Sequence, residues 1–135
     1  MSYFKNELSW RSQWHISKHR YLELVHFCLQ YEEWRQRLRE ISLVRISGVA
    51  RVGGGAEWAD PTARHAEEIS ALKEKIRMVE KAALDAEESL ANYILISVTQ
   101  DIAFPKLQAR MNVPCGKDMF YDRRRKFFWL LDRER

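Results

Sequence analysis

The chain has 135 residues, of which 46% are apolar and 31% charged, and its formal net charge is +4. This length fits one domain, and because no apolar run approaches the about 20 residues of a membrane span, we expect neither a membrane protein nor a large two-lobed enzyme. Two cysteines argue against a secreted disulfide scaffold, and the low glycine and proline counts favour an all-α fold. The start carries no apolar block of the signal-peptide type, so we expect a cytoplasmic location.

The N-terminal segment combines tryptophans and histidines at helical spacing. Trp10 and Trp14 lie four residues apart, which would place both rings on one face of a short helix. His15 and His19 have the same spacing, as metal ligands on a helix do, but no clear carboxylate or second cysteine completes a site. We therefore expect packing or surface histidines and no bound metal.

Regular apolar spacing begins at Leu24 and predicts a helix over residues 31–46. The steps alternate between three and four residues, which is a heptad seam. Continuity back to Tyr21 stays open, because Glu32 and Glu33 suit the positive N-terminal end of a separate helix. The positions of the seam are Leu24, Phe27, Tyr31, Trp34, Leu38 and Ile41.

A glycine-rich turn over residues 47–60 separates this helix from a second one. The turn lacks a following Gly-Lys-Ser/Thr motif and a preceding strand, so a phosphate-binding loop is disfavoured. Asp60 suits the N-cap of the second helix and Pro61 its first position. We favour a long antiparallel hairpin, since pairing within one chain avoids the cost of association; a homodimer through one seam is the alternative. The second seam is Ile69, Leu72, Ile76, Val79 and Ala83.

Positive charge is concentrated at the C-terminal end. Residues 101–135 carry nine basic and five acidic side chains, whereas residues 61–100 carry five basic and seven acidic ones. A basic end on a near-neutral body is typical of a protein that binds a polyanion such as nucleic acid. The alternative is a solvated basic tail, and charge alone does not separate the two.

The same end has the layout of a helix-turn-helix. A helix over residues 88–100, which carries no charge between Leu90 and Gln100, is expected to be buried beneath it. Pro105 suits the start of the next helix, and Asn112 tolerates the left-handed conformation that ends a helix. Val113 is the buried anchor of a connector, after which residues 117–132 form a basic second helix. This predicts a helical body over residues 1–87 and a DNA-binding region over residues 88–135.

The second helix divides by angle into two sides. Apolar residues, with Met119 and Leu130 among them, fall on the side expected to pack. The other side is free to enter the major groove of a DNA duplex, with base contacts from its N-terminal residues, phosphate contacts from its basic run and a backbone contact from the first helix. The predicted base contacts are Lys117, Asp118, Tyr121 and Asp122, the predicted phosphate contacts are Arg124, Arg125 and Lys126, and the predicted backbone contact is Lys106.

Cys115 is the one candidate for covalent chemistry in this region. It lies just before a helix, where the dipole can lower the pKa of a thiol. The sequence after His65 contains no histidine, so a general base would have to come from a distant segment. Packing in the turn is therefore the favoured role, and no catalytic residue is expected.

Residues 21–135 resemble small phage-encoded transcriptional regulators of the RinA/ArpU type, which have a sigma-factor-like C-terminal helix-turn-helix. The resemblance is carried by HFCLQYEEWRQRL, the turn before ADPT, ALKEKIRMVEKAAL and above all VPCGKDMFYDRRRKFFWLLDRER. It implies sequence-specific binding of double-stranded DNA near phage late or packaging promoters, and activation through the host RNA polymerase. It implies no enzyme activity and no cofactor. The alternative function is a small terminase-like packaging subunit, which also joins a helix-turn-helix to an oligomerising helical region.

Overall fold

A computed structural model describes residues 13–47 and 61–135, with side chains over 13–44 and 63–135. These residues form helices and no strand, which confirms the predicted all-α class. None of the described helices is both long and apolar enough to cross a lipid bilayer. The elements are α1 (Lys18–Leu29), α2 (Tyr31–Ser47), α3 (Pro61–Ala86), a 3-10 helix (Glu88–Leu90), α4 (Ala91–Gln100), α5 (Phe104–Met111) and α6 (Lys117–Glu134).

The helix predicted over residues 31–46 is confirmed as α2, and it is separate from α1. Gln30, at φ −84° and ψ −5°, ends α1, and its N–H donates to the carbonyl of Phe27 at 3.2 Å. This bond spans three residues and tightens the last turn. Glu32 and Glu33 occupy the first turn of α2, where the helix dipole favours negative charge.

The predicted N-terminal helix with Trp10 and Trp14, and the predicted glycine-rich turn with its N-cap, involve residues outside the described ranges. Trp10, Asp60 and the turn over residues 48–60 lie outside them. Trp14 is described and lies in a turn before α1, so its predicted place in a short helix is wrong. The second long helix is confirmed as α3, which begins at Pro61.

The chain divides into two compact units, and α3 contributes to both. One unit contains residues Met1–Gln30 and Met78–Arg135, and the other contains residues Tyr31–Arg77. The sequence placed a boundary at residue 88, whereas residues 88–135 group with α1 and the last turns of α3. Contacts between Lys81 and Glu134, and between Glu87 and Arg123, illustrate this grouping.

The unit of residues 31–77 is formed by α2 and the first part of α3. Arg37 pairs with Glu68 at 2.6 Å, and the Lys75 ammonium lies 5.9 Å from the centroid of the Trp34 ring. Trp34 precedes Arg37 in α2, whereas its partner Lys75 follows Glu68 in α3. The two segments therefore run antiparallel within this unit. The long hairpin itself stays a prediction, because its turn lies outside the described residues.

The core of the other unit lies where α1, α4, α5 and α6 meet. Helix α4 carries no charged side chain and contacts α1, α5 and α6, which explains why its sequence is apolar on most sides. Each fully buried leucine- or phenylalanine-sized side chain contributes about 1.5–3 kcal/mol relative to an exposed one. The largest buried side chains of this unit include Tyr21, Leu24, Leu90, Ile94, Leu107, Phe120, Phe127, Phe128 and Leu131.

Candidate functional site

The connector between α5 and α6 has the conformation that its sequence predicts. Asn112 ends α5 in the left-handed region, at φ 53° and ψ 64°, and its N–H donates to the carbonyl of Gln108 at 2.9 Å. Val113 is 3% exposed, so its predicted role as the buried anchor is confirmed. Gly116, at φ −82° and ψ 171°, precedes α6, and its carbonyl accepts the N–H of Phe120 at 3.1 Å. The result is two helices joined by a short, ordered connector.

Aromatic packing and one hydrogen bond hold α5 against α6. The rings of Phe104 and Phe120 have centroids 5.3 Å apart. The Tyr121 hydroxyl accepts a hydrogen bond from the N–H of Phe104, at 3.1 Å, which satisfies a donor in the first turn of α5. Leu107 and Phe120 are fully buried at this junction. The outer surfaces of α5 and of the start of α6 therefore face solvent.

Arg124 connects α6 to α4 and to the segment before α5. Its Nη1 donates to the Ser97 hydroxyl at 2.6 Å, and that hydroxyl donates to the carbonyl of Ile102 at 2.6 Å. The guanidinium also lies 6.0 Å from the ring centroids of Tyr121 and Phe128. Arg124 is thus a buried cation that ties three elements together.

The predictions that Tyr121 reads bases and that Arg124 contacts phosphates are wrong. Tyr121 is 5% exposed and Arg124 is 3% exposed. A helix that packs on one neighbour has a narrow buried stripe, but α6 contacts α1, α4 and α5, so its buried face is wider. Both polar groups tolerate burial because they have hydrogen-bond partners within the molecule.

Arg123 is also committed to contacts within the molecule. Its Nε donates to Glu87 at 2.7 Å, and its Nη1 pairs with Asp122. The hydrogen bond from Arg123 holds the pKa of the Glu87 carboxyl below its ordinary value, and the hydrogen bond to Glu87 raises the pKa of Arg123. About a third of each of these two side chains is exposed, so the pair lies at the edge of the core.

The remaining members of the basic run are half-buried. The Arg125 side chain is 17% exposed and lies 3.8 Å from Asp122, itself a predicted base contact and also half-buried. The Lys126 ammonium lies 5.3 Å from the centroid of the Trp14 ring. The division of α6 by angle placed these three predicted DNA contacts on or beside a solvent-exposed side, but their side chains are only partly exposed.

Exposed charges lie on α5 and at the start of α6, and further ones, Arg133 and Glu134, lie at the end of α6. Lys106 and Lys117, both predicted as DNA contacts, are exposed, and so is Asp118. Arg110 is exposed as well and was missed by the sequence analysis, although its position four residues after Lys106 on one helix was a usable signal. Met119 was assigned to the packed side; it is 42% exposed, so that assignment is wrong.

The structure does not favour chemistry at the cysteines. Burial, followed by the negative charge of Glu87, raises the pKa of the Cys115 thiol, which is opposite to the activation of a nucleophile. Burial also raises the pKa of the Cys28 thiol. Within the described ranges, no group of three or more His, Cys, Asp or Glu side chains is placed to hold a metal ion.

Comparison with protein-family models, with curated proteins and with solved structures finds no match for this chain.

Proposed function

We propose that this chain is a sequence-specific DNA-binding transcriptional regulator, in which α5 and α6 form a helix-turn-helix. The observation that carries the proposal is the ordered connector at Asn112, which joins two packed helices and leaves the outer face of α5 and the first turn of α6 exposed. A helix of this kind enters the major groove with its N-terminal residues, while the preceding helix crosses the phosphate backbone.

Phosphate contacts are assigned to the exposed cations Lys106, Arg110 and Lys117. Lysine and arginine at such positions neutralise phosphates and fix the register of the protein on the duplex. Asp118 and Met119 are assigned to base edges, because a carboxylate accepts a hydrogen bond from the cytosine amino group and an apolar side chain contacts the thymine methyl group. Arg125 and Lys126 are secondary contacts at the edge of this surface.

Tyr121 and Arg124 are positioning residues in this proposal. Tyr121 holds the first turn of α5, and Arg124 holds the Ser97 hydroxyl of α4, which in turn donates to the carbonyl of Ile102. Together they set where the exposed side chains of α5 lie relative to α6. Activation of phage late or packaging genes through the host RNA polymerase belongs to the same proposal and rests on the resemblance to RinA/ArpU-type regulators.

The second candidate is a small terminase-like packaging subunit. It is favoured by the exposed side chain of Leu84, at 54%, which self-association would bury. Sedimentation velocity separates the two candidates, because a large ring is expected of a packaging subunit and a monomer or dimer of a regulator.

The test of DNA binding uses a duplex selected from a random pool at near-physiological salt. The double variant Lys106→Ala/Arg110→Ala removes two phosphate contacts, so the slope of log K against log salt falls by about 2. The matched control is Arg64→Ala/Lys75→Ala, which removes one exposed arginine and one exposed lysine from the other compact unit. Fluorescence anisotropy measures both slopes at salt concentrations from about 50 to 300 mM. Phosphate contacts contribute strongly to the affinity for DNA in this range. Equal slopes for the two double variants would refute the assignment.

A further inference from the structure

An open groove lies between α2 and the first part of α3, within the unit of residues 31–77. Its volume is about 490 Å³, within the range of sites that hold a ligand or a peptide segment. Its lining comprises three apolar side chains, one hydroxyl and two cations, namely Leu38, Leu43, Ile69, Ser42, Arg39 and Lys73.

The floor of the groove is apolar and partly accessible to solvent. Leu43 is 65% exposed, and Leu38 and Ile69 are half-buried. Single exposed leucines are common on protein surfaces, but three aliphatic side chains that converge in one groove provide anchoring positions for another apolar side chain. The neighbouring seam positions Trp34 and Ile41 are buried, so they do not contribute to this accessible surface.

The rim of the groove is positively charged. Arg39 and Lys73 line it and no carboxylate does. Two nearby acids are engaged by another side chain: Glu68 accepts hydrogen bonds from Arg37 at 2.6 and 3.0 Å, and Glu40 lies 3.5 Å from the same guanidinium. Lys73 forms no ion pair with any residue of the described ranges. The groove therefore offers positive charge around an apolar floor.

We propose that this groove binds an acidic amphipathic helix of a partner protein. Apolar residues on one face of that helix would pack on Leu38, Leu43 and Ile69, and carboxylates beside that face would pair with Arg39 and Lys73. This is the helix-in-groove mode of peptide recognition, with charge complementarity that selects the partner. The proposal does not depend on DNA binding, which is assigned to the other unit.

A second copy of the chain fits the groove less well. In a two-fold dimer through this surface, both copies contribute the same patch, so the cations of both rims would enter one interface without a carboxylate from either lining. Like charges across an interface are unfavourable, whereas an acidic partner neutralises both. The charge of the rim thus favours an acidic helix over self-association.

The test uses a fluorescein-labelled synthetic helix with leucines at positions i, i+3 and i+7 and glutamates beside them. Matched peptides carry glutamine or lysine in place of each glutamate. With the full chain in low salt, we expect saturable binding of the acidic peptide, binding about fivefold weaker for the glutamine peptide from the loss of two rim contacts, and the weakest binding for the lysine peptide. Fluorescence anisotropy gives the three affinities.

Variants assign the binding to the groove. Arg39→Glu/Lys73→Glu should reverse the preference, so that the lysine peptide binds better than the acidic one, and Leu43→Ser should weaken both. The control Lys106→Glu/Arg110→Glu makes the same charge change at exposed positions of the other compact unit and should keep the preference for the acidic peptide. The proposal is overturned if no peptide binds saturably or if the Arg39→Glu/Lys73→Glu variant keeps the original preference. A dimer seen by sedimentation equilibrium that Leu43→Ser dissociates would overturn it too, because the groove would then belong to a second copy.

Discussion

Replacement of Ser97 by alanine tests how strongly the molecule depends on the buried Arg124. The Ser97 hydroxyl is fully buried, accepts from Arg124 Nη1 at 2.6 Å and donates to the Ile102 carbonyl at 2.6 Å. The variant loses one hydrogen bond to a charged group, worth about 1.5–3 kcal/mol, and one neutral bond, worth about 0.5–1.5 kcal/mol. The expected loss is about 2–4.5 kcal/mol, a large part of the about 5–15 kcal/mol that stabilises most domains.

Arg124→Met is expected to cost less, although it removes more polar atoms. Methionine retains an unbranched apolar side chain that fills much of the same space. The variant also removes the buried charge and its desolvation cost, so the free energy of unfolding falls by only about 0–2 kcal/mol. When Arg124→Met is already present, Ser97→Ala breaks only the bond to Ile102. The double-mutant cycle should therefore show a coupling of about 1.5–3 kcal/mol between the two positions.

Urea unfolding followed by circular dichroism measures these differences. At a slope of about 1–3 kcal/mol per molar urea, a loss of about 3 kcal/mol moves the midpoint by about 1–3 M without a change in slope. Ser70→Ala, at an exposed serine of α3, is the control and should stay within about 0.5 kcal/mol. Additive effects of Ser97→Ala and Arg124→Met would refute the reasoning, because they would show that the two side chains do not act together.

Two further predictions concern the ends of the helices in the same unit. Asn112→Ala should lower stability by about 1 kcal/mol because alanine is strained at φ 53°, whereas Asn112→Gly should be neutral or slightly stabilising; melting temperatures in the opposite order would contradict this. Arg123 lowers the pKa of Glu87 from its ordinary 4.5, so the folded state binds fewer protons than the unfolded chain and the pair stabilises above that pH. Its contribution is lost as the pH falls through the lowered pKa. The wild type should therefore melt above Glu87→Gln at about pH 7, and the gap should close on acidification below pH 4.5; a gap that is unchanged at about pH 3 would contradict the prediction.

Several helices and helix ends could be predicted from the sequence alone, because they depend on the preferences of nearby residues. Asparagine tolerates the left-handed region, so Asn112 marked the end of α5. Adjacent glutamates raised a separate start of α2 as one of two options, and the structure shows that start at Tyr31. Heptad spacing was sufficient to predict α2 and α3. Asp101 ends α4 in the same left-handed region at φ 53°, but aspartate is also common in other conformations, so this helix end was not predicted.

Tertiary structure alone decided which side chains of α6 reach solvent. The angular positions of residues on one helix show which residues share a side, but not how wide the buried side is. That width depends on how many other helices pack against the helix. Helix α6 contacts three others, so Tyr121 and Arg124 became internal while Met119, near the helix start, stayed exposed. The helices can be predicted from the sequence because their backbone hydrogen bonds join residues that are close in the chain. The accessible surface follows from contacts between segments distant in sequence, such as Ser97 with Arg124, which periodicity along one helix does not encode.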